Sequence, residues 1–113
     1  MTFEKYTISD NQLIEVAIEM IEMNNSRCVI VTNTNGKVLG VLSEGDILRS
    51  ILKGVSIKSP VKNIMMINFK YLLAKDDEKI MAWFKEGITL IPILSEGAYL
   101  KDIIVLTQYF EGK

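Results

Sequence analysis

The chain has 113 residues, one cysteine and no histidine, with 49% hydrophobic residues, 24% charged residues and a net charge of −1. That balance suits one compact domain, or two small repeats sharing a core, and excludes a disordered segment, which lacks apolar residues. It also excludes a globally basic nucleic-acid or membrane binder, an intrachain disulfide and Ser-His or Cys-His catalysis.

Tyr6-Thr7-Ile8 predicts a short leading strand. Ser9 to Gln12 has capping-box spacing and predicts a helix start. Leu13, Val16, Ala17 and Met20 then recur at helical spacing, and Asn24-Asn25-Ser26 supplies turn formers to end the helix. Cys28-Val29-Ile30-Val31 is β-branched and continuously apolar, the pattern of a buried strand. Asn35-Gly36 predicts a hairpin, because both residues tolerate positive φ. Val38 to Leu42 is the returning strand. Ser43-Glu44-Gly45-Asp46 is a second capping signal, before a helix with Ile47, Leu48, Ile51 and Leu52 and with Gly54 at its end.

Residues 55–63 form a linker containing Ser59-Pro60, and after it the same order returns. Tyr71 to Leu73 predicts a short strand. Asp76 or Asp77 caps a helix carrying Ile80, Met81, Trp83 and Phe84, which Gly87 ends. Leu90 to Leu94 and Tyr99 to Leu106 are paired strands joined by Ser95-Glu96-Gly97. Cys28 aligns with Pro92 at a spacing of 64 residues and Val38 with Leu100 at 62, which implies a shorter second turn. Only Thr107 to Phe110 remain for the last helix.

Gly40-Val41-Leu42-Ser43-Glu44-Gly45-Asp46 resembles the Gly-x-x-Ser/Thr-x-x-Asp motif of tandem cystathionine-β-synthase (CBS) domain pairs, also called Bateman modules. Ser59-Pro60-Val61-Lys62-Asn63-Ile64-Met65 is similar to the segment that opens a second CBS repeat, and Ile91-Pro92-Ile93-Leu94 to that repeat's buried strand. The resemblance covers residues 6–110. It implies an α/β (α+β) fold of two β-α-β-β-α repeats with pseudo-two-fold symmetry, at 1–54 and 64–113. The second repeat is degenerate and lacks most of its last helix. Val41 to Gly54 is further similar to CBS pairs that precede sugar-phosphate nucleotidyltransferase domains.

The resemblance also implies a ligand, an adenine nucleotide (AMP, ADP or ATP) or, less commonly, S-adenosylmethionine, in the cleft between repeats. By position, Asp46 would hold the ribose hydroxyls, Ser43 the phosphate or ribose, and Gly40 would let the backbone approach the ligand. The Val29 and Ile93 strand edges and Ile64-Met65 would wall the base. In the second repeat Asp102 replaces Gly40. Val105 and Gln108, or Thr107 and Phe110, replace Ser43 and Asp46, so one site per chain is expected. The expected module is non-catalytic, without a metal or required cofactor. Its expected setting is a homodimer in the cytoplasm, with a fused or partner catalytic domain.

The residues also support plainer readings. Ser43 and Asp46 have the spacing of a helix cap that needs no ligand. Arg49, Lys53, Lys58 and Lys62 fit a solvated basic face as well as a set of phosphate donors. A nucleotide-independent dimerisation or scaffold module is therefore the alternative function. No stretch reaches membrane-spanning length, and Met1 to Lys5 lacks the basic start of a signal peptide.

Overall fold

The computed structural model describes residues 3–111; Met1, Thr2, Gly112 and Lys113, the outer ends of the two expected repeats, lie outside the described residues. In chain order the elements are β1 (Thr7–Ser9), α1 (Ile14–Asn24), β2 (Cys28–Thr32), β3 (Val38–Ser43), α2 (Glu44–Leu52), α3 (Asp77–Lys85), β4 (Leu90–Leu94), β5 (Leu100–Val105) and α4 (Leu106–Glu111). This is a mixed α+β fold in which one β-α-β-β-α unit follows another. In the second unit the leading strand is reduced to a single bridge, Leu72 beside Ile93.

β1 runs parallel to β2, and β2 antiparallel to β3; β4 and β5 form a second antiparallel pair. The two ladders correspond at one constant offset. Cys28 pairs with Ser43 as Leu90 pairs with Val105, and Val31 with Gly40 as Ile93 with Asp102. The offset is 62 residues in each case, so the expected match of Cys28 with Pro92 is corrected to Leu90. The two turns are also of equal length. Asn33 N–H donates to the Lys37 carbonyl, and Ser95 N–H to the Tyr99 carbonyl. In the first turn Gly36 has φ 85°, while Asn35 stays outside the positive region. A bulge at Val31/Thr32 absorbs the extra residue.

α1 starts later than Ser9 predicts. Ser9 is the last residue of β1, opposite Thr32, and Leu13 is the N-cap, with no side-chain cap bond. The linker caps the helix instead. Ile14 N–H reaches the Ser59 carbonyl at 2.9 Å and Glu15 N–H the Ile57 carbonyl at 3.0 Å. These long-range acceptors satisfy amides that a helix start leaves free. The predicted C-terminus is observed, with Asn25 left-handed at φ 57°. The buried Asn24 side chain donates to the Lys5 and Cys28 carbonyls and accepts from Ser26 N–H.

α2 and α3 both end on glycine. Gly54 N–H bonds to Ile51 and Val55 N–H to Ser50; Gly87 N–H bonds to Phe84 and Ile88 N–H to Trp83. Each pair is a Schellman closure. Among the described residues α4 has six against nine in α2, and it begins at Leu106, one residue before the expected Thr107.

β2 and β4 are buried on both faces. On one face Val29 and Val31 pack with Ile14, Ala17, Leu42 and Ile47. Ile91 and Ile93 pack likewise with Ile80, Phe84 and Tyr109. The opposite faces meet each other, so that Cys28 and Ile30 share one cluster with Leu90, Leu94, Ile103 and Val105. The halves are further joined by Val38 N–H to the Ala98 carbonyl, and by Thr89 Oγ1 donating to the Ser26 carbonyl.

Candidate functional site

β3 passes directly into α2 at Ser43. The turn is held by Glu44 N–H donating to the Arg27 carbonyl at 2.9 Å. Ser43 has extended backbone angles and caps the helix. Its Oγ accepts from Asp46 N–H at 3.1 Å and donates to Asp46 Oδ2 at 2.8 Å; Ser43 N–H donates to the same Oδ2 at 3.1 Å. Arg49 Nη2 donates to the other carboxylate oxygen, Oδ1, at 2.7 Å. The expected capping box is therefore present, with an arginine added to it.

Burial would raise the Asp46 carboxyl, but the hydrogen bonds from Ser43 and the Arg49 charge outweigh it and hold the pKa below the ordinary 3.8. A carboxyl lowered on folding stabilises the fold above its unfolded pKa, and that contribution disappears as pH falls through the folded value. Asp46→Asn is accordingly expected to be less stable than the parent chain above a pH of about 3.8, with the difference closing on further acidification. Urea unfolding of both proteins across that range checks it; a gap that persists in acid refutes the assignment.

This helix start opens onto a cleft of about 660 Å³. Val41, Ser43, Asp46 and Leu48 line it from the first half; Met66, Phe69, Ile88 and Leu90 line it from the second. Its cations are Arg27 and Lys70. Lys70 is paired with Glu86 at 3.1 Å and lies 5.5 Å over the Trp83 ring. Cys28 also lines the cleft, and burial pushes its thiol up to about 12, so it remains protonated.

The sequence-predicted residues divide between cleft and core. Ser43 and Asp46 come together in the cleft. Val29 and Ile93 lie in the two outer cores, and Ile64 and Met65 pack against the first of them. The walls come from the opposite strand faces and from Met66 and Phe69. Gly40 stands on β3 beside the segment at residues 65–66. The backbone that approaches it belongs to the chain itself: a Cβ there would sit 2.7 Å from the Met66 carbonyl oxygen. Met66 is bridged to Val41 on the open side of β3, N–H to carbonyl both ways, at 2.8 and 3.0 Å. Sequence reasoning missed Arg27, Met66, Phe69, Lys70, Ile88 and Leu90. A local signal existed for Ile88, which follows the helix-ending Gly87 and precedes β4.

Residues 1–53 match the family model of the CBS domain. The first half of the chain is thus a CBS domain. An uncharacterized Helicobacter pylori protein (strain J99) is 42% identical to the chain over 97 residues, 81% of this chain and 30% of that protein. The chain thus spans about a third of the length of the curated relatives it matches. AcuB from Vibrio cholerae has a similar fold, with TM-score 0.81, 20% identity and coverage of 94% of this chain and 80% of that one. A CBS-domain protein from Pyrobaculum aerophilum, solved in complex with AMP, gives TM-score 0.73 at 15% identity, covering 94% of this chain and 87% of that one. Among the described residues no helix is long and apolar enough to cross a membrane, and no cluster of three or more His, Cys, Asp or Glu could hold a metal ion.

Proposed function

We propose that this CBS-domain chain is a non-catalytic regulatory module, which binds an adenine nucleotide in the cleft between its halves. The observation that carries the reading is the α2 N-terminus. It presents a carboxylate, a hydroxyl and the positive end of a helix to a cleft walled by apolar residues from both halves. Asp46 accepts from the ribose hydroxyls. Ser43 and the helix start face the phosphate. Met66, Phe69, Ile88 and Leu90 flank the base. A ligand touching both halves favours one relative arrangement of them and so shifts how an attached or partner domain sits. The AMP complex of a protein with the same fold supports this reading. The greater length of the relatives supports a further domain in the whole protein, with a sugar-phosphate nucleotidyltransferase as the candidate.

A second reading is favoured by one feature. α2 leaves Leu48, Ile51 and Leu52 exposed beside an apolar groove shared with Ile18 and Ile21 of α1. A cytoplasmic homodimer would cover that face, and a scaffold module needs Ser43 and Asp46 only as caps.

One experiment separates the two: thermal unfolding with AMP, ADP, ATP and S-adenosylmethionine, on the parent chain and on Asp46→Ala. Ligand at about 100 times its Kd adds about 2.7 kcal/mol, a Tm rise of roughly 10 °C. The nucleotide reading expects that rise with at least one compound and its loss in Asp46→Ala. No rise with any of the four overturns it and leaves the scaffold.

A further inference from the structure

Resting on the nucleotide-binding reading, we propose that Arg49 sets phosphate specificity. Its guanidinium exchanges the Asp46 carboxylate for the ligand's phosphate, so the cleft takes phosphorylated nucleosides and rejects bare ones.

The two carboxylate oxygens of Asp46 are unequal. Oδ2 already accepts two hydrogen bonds from Ser43. Oδ1 is the oxygen left for a ribose diol, and Arg49 Nη2 holds it at 2.7 Å. That bond joins two ions, and such bonds are stronger than neutral ones. A diol of a bare nucleoside competes with the guanidinium for that oxygen and brings no anion to take it up. A nucleotide carries its own compensation, because the released guanidinium meets a phosphate in the fork geometry that arginine favours. The exchange takes place at a helix start, where an anion is already attracted.

The surroundings permit the movement. The Arg49 side chain is 65% exposed, whereas that of Asp46 is 13% exposed, so the arginine can swing without disturbing the core. Gly45 precedes Asp46 in the first turn, where glycine is a poor helix former. A Cβ at that position would sit 3.2 Å from Arg49 Nη1, so the glycine leaves the guanidinium its seat across the helix start. Across the cleft, Lys70 is committed to Glu86 and to the Trp83 ring.

The test is titration calorimetry of adenosine and of AMP against the parent chain, Arg49→Gln and Arg49→Lys. In Arg49→Gln, AMP affinity is expected to fall about 10- to 100-fold, the range for losing a hydrogen bond to a charged group. Adenosine affinity is expected to rise, because Oδ1 is released. Arg49→Lys keeps the charge without the fork and should lie between. A merely structural role would weaken both ligands alike and leave their ratio unchanged; that result overturns the proposal. So does a parent chain that binds adenosine and AMP equally. A parent chain that binds neither overturns the nucleotide reading itself, and this inference with it.

Discussion

Ile30→Ala should cost about 3 kcal/mol, within the 2–5 kcal/mol range for truncating a buried isoleucine to alanine. Ile30 is fully buried, and its cluster draws on both halves: Tyr6, Cys28 and Val38 from the first, Leu90, Leu94, Ile103 and Val105 from the second. A cavity here loosens the joint between the two sheets as well as β2 itself. Against a typical total of about 5–15 kcal/mol, the loss is large. Urea unfolding followed by circular dichroism and by Trp83 fluorescence should show one transition at a lower midpoint, coincident for both probes. Trp83 packs against the second half's outer core, so it reports a half that does not contain the mutation. A loss below about 1 kcal/mol, smaller than this truncation normally costs, would show that the shared cluster does not hold the halves together. Separate transitions for the two probes would show the same.

That prediction could not have come from sequence alone, and the reason is physical. Residues 28–31 are apolar without interruption, and all four are buried. Alternation assigns residues to faces only when one face is wet. Val29 and Ile30 look alike in the chain, yet one faces the first half's own core and the other the joint between halves. The same ambiguity led to Val29 and Ile93 being expected at the ligand, when the structure gives the cleft to Cys28 and Leu90 on the opposite faces.

Features fixed by neighbours in the chain were legible. The Ser43–Asp46 box, the left-handed Asn25 and the Gly54 and Gly87 closures each depend on residues within a single turn of one another. The start of α1 was not legible. Its caps are the carbonyls of Ile57 and Ser59, more than 40 residues along the chain. Ser9 has the chemistry of a cap, but parallel pairing with β2 claims it first. The offset between repeats was misread for a related reason. Two continuously apolar strands can be slid past each other by two residues without changing their pattern, and only the ladder bonds align Cys28 with Leu90.

Gly40→Ala is expected to destabilise the chain by about 1–3 kcal/mol, the usual cost of forcing a methyl group into packed space, and, under the proposed function, to weaken nucleotide binding as well. The added Cβ would lie 2.7 Å from the Met66 carbonyl oxygen and 3.3 Å from Met65 Cγ. A side chain could rotate away, but a main-chain carbonyl held by Val41 cannot. The strand must bend, or the paired bonds between Val41 and Met66 must break. The corresponding residue in the second half supports this account. Asp102 occupies the same ladder position, opposite Ile93, and is exposed. Glycine is therefore required by the strap at residues 65–66 and not by the hairpin, which accommodates a larger residue in its second copy. Met66 is also a wall of the cleft, so displacing it couples stability to ligand affinity. Hydrogen exchange should show the Val41 and Met66 amides losing protection in Gly40→Ala, while the amides of β4 and β5 keep theirs. An alanine variant as stable as the parent, with both amides protected, would show that the strap accommodates the methyl group at no cost, and would overturn this account of Gly40.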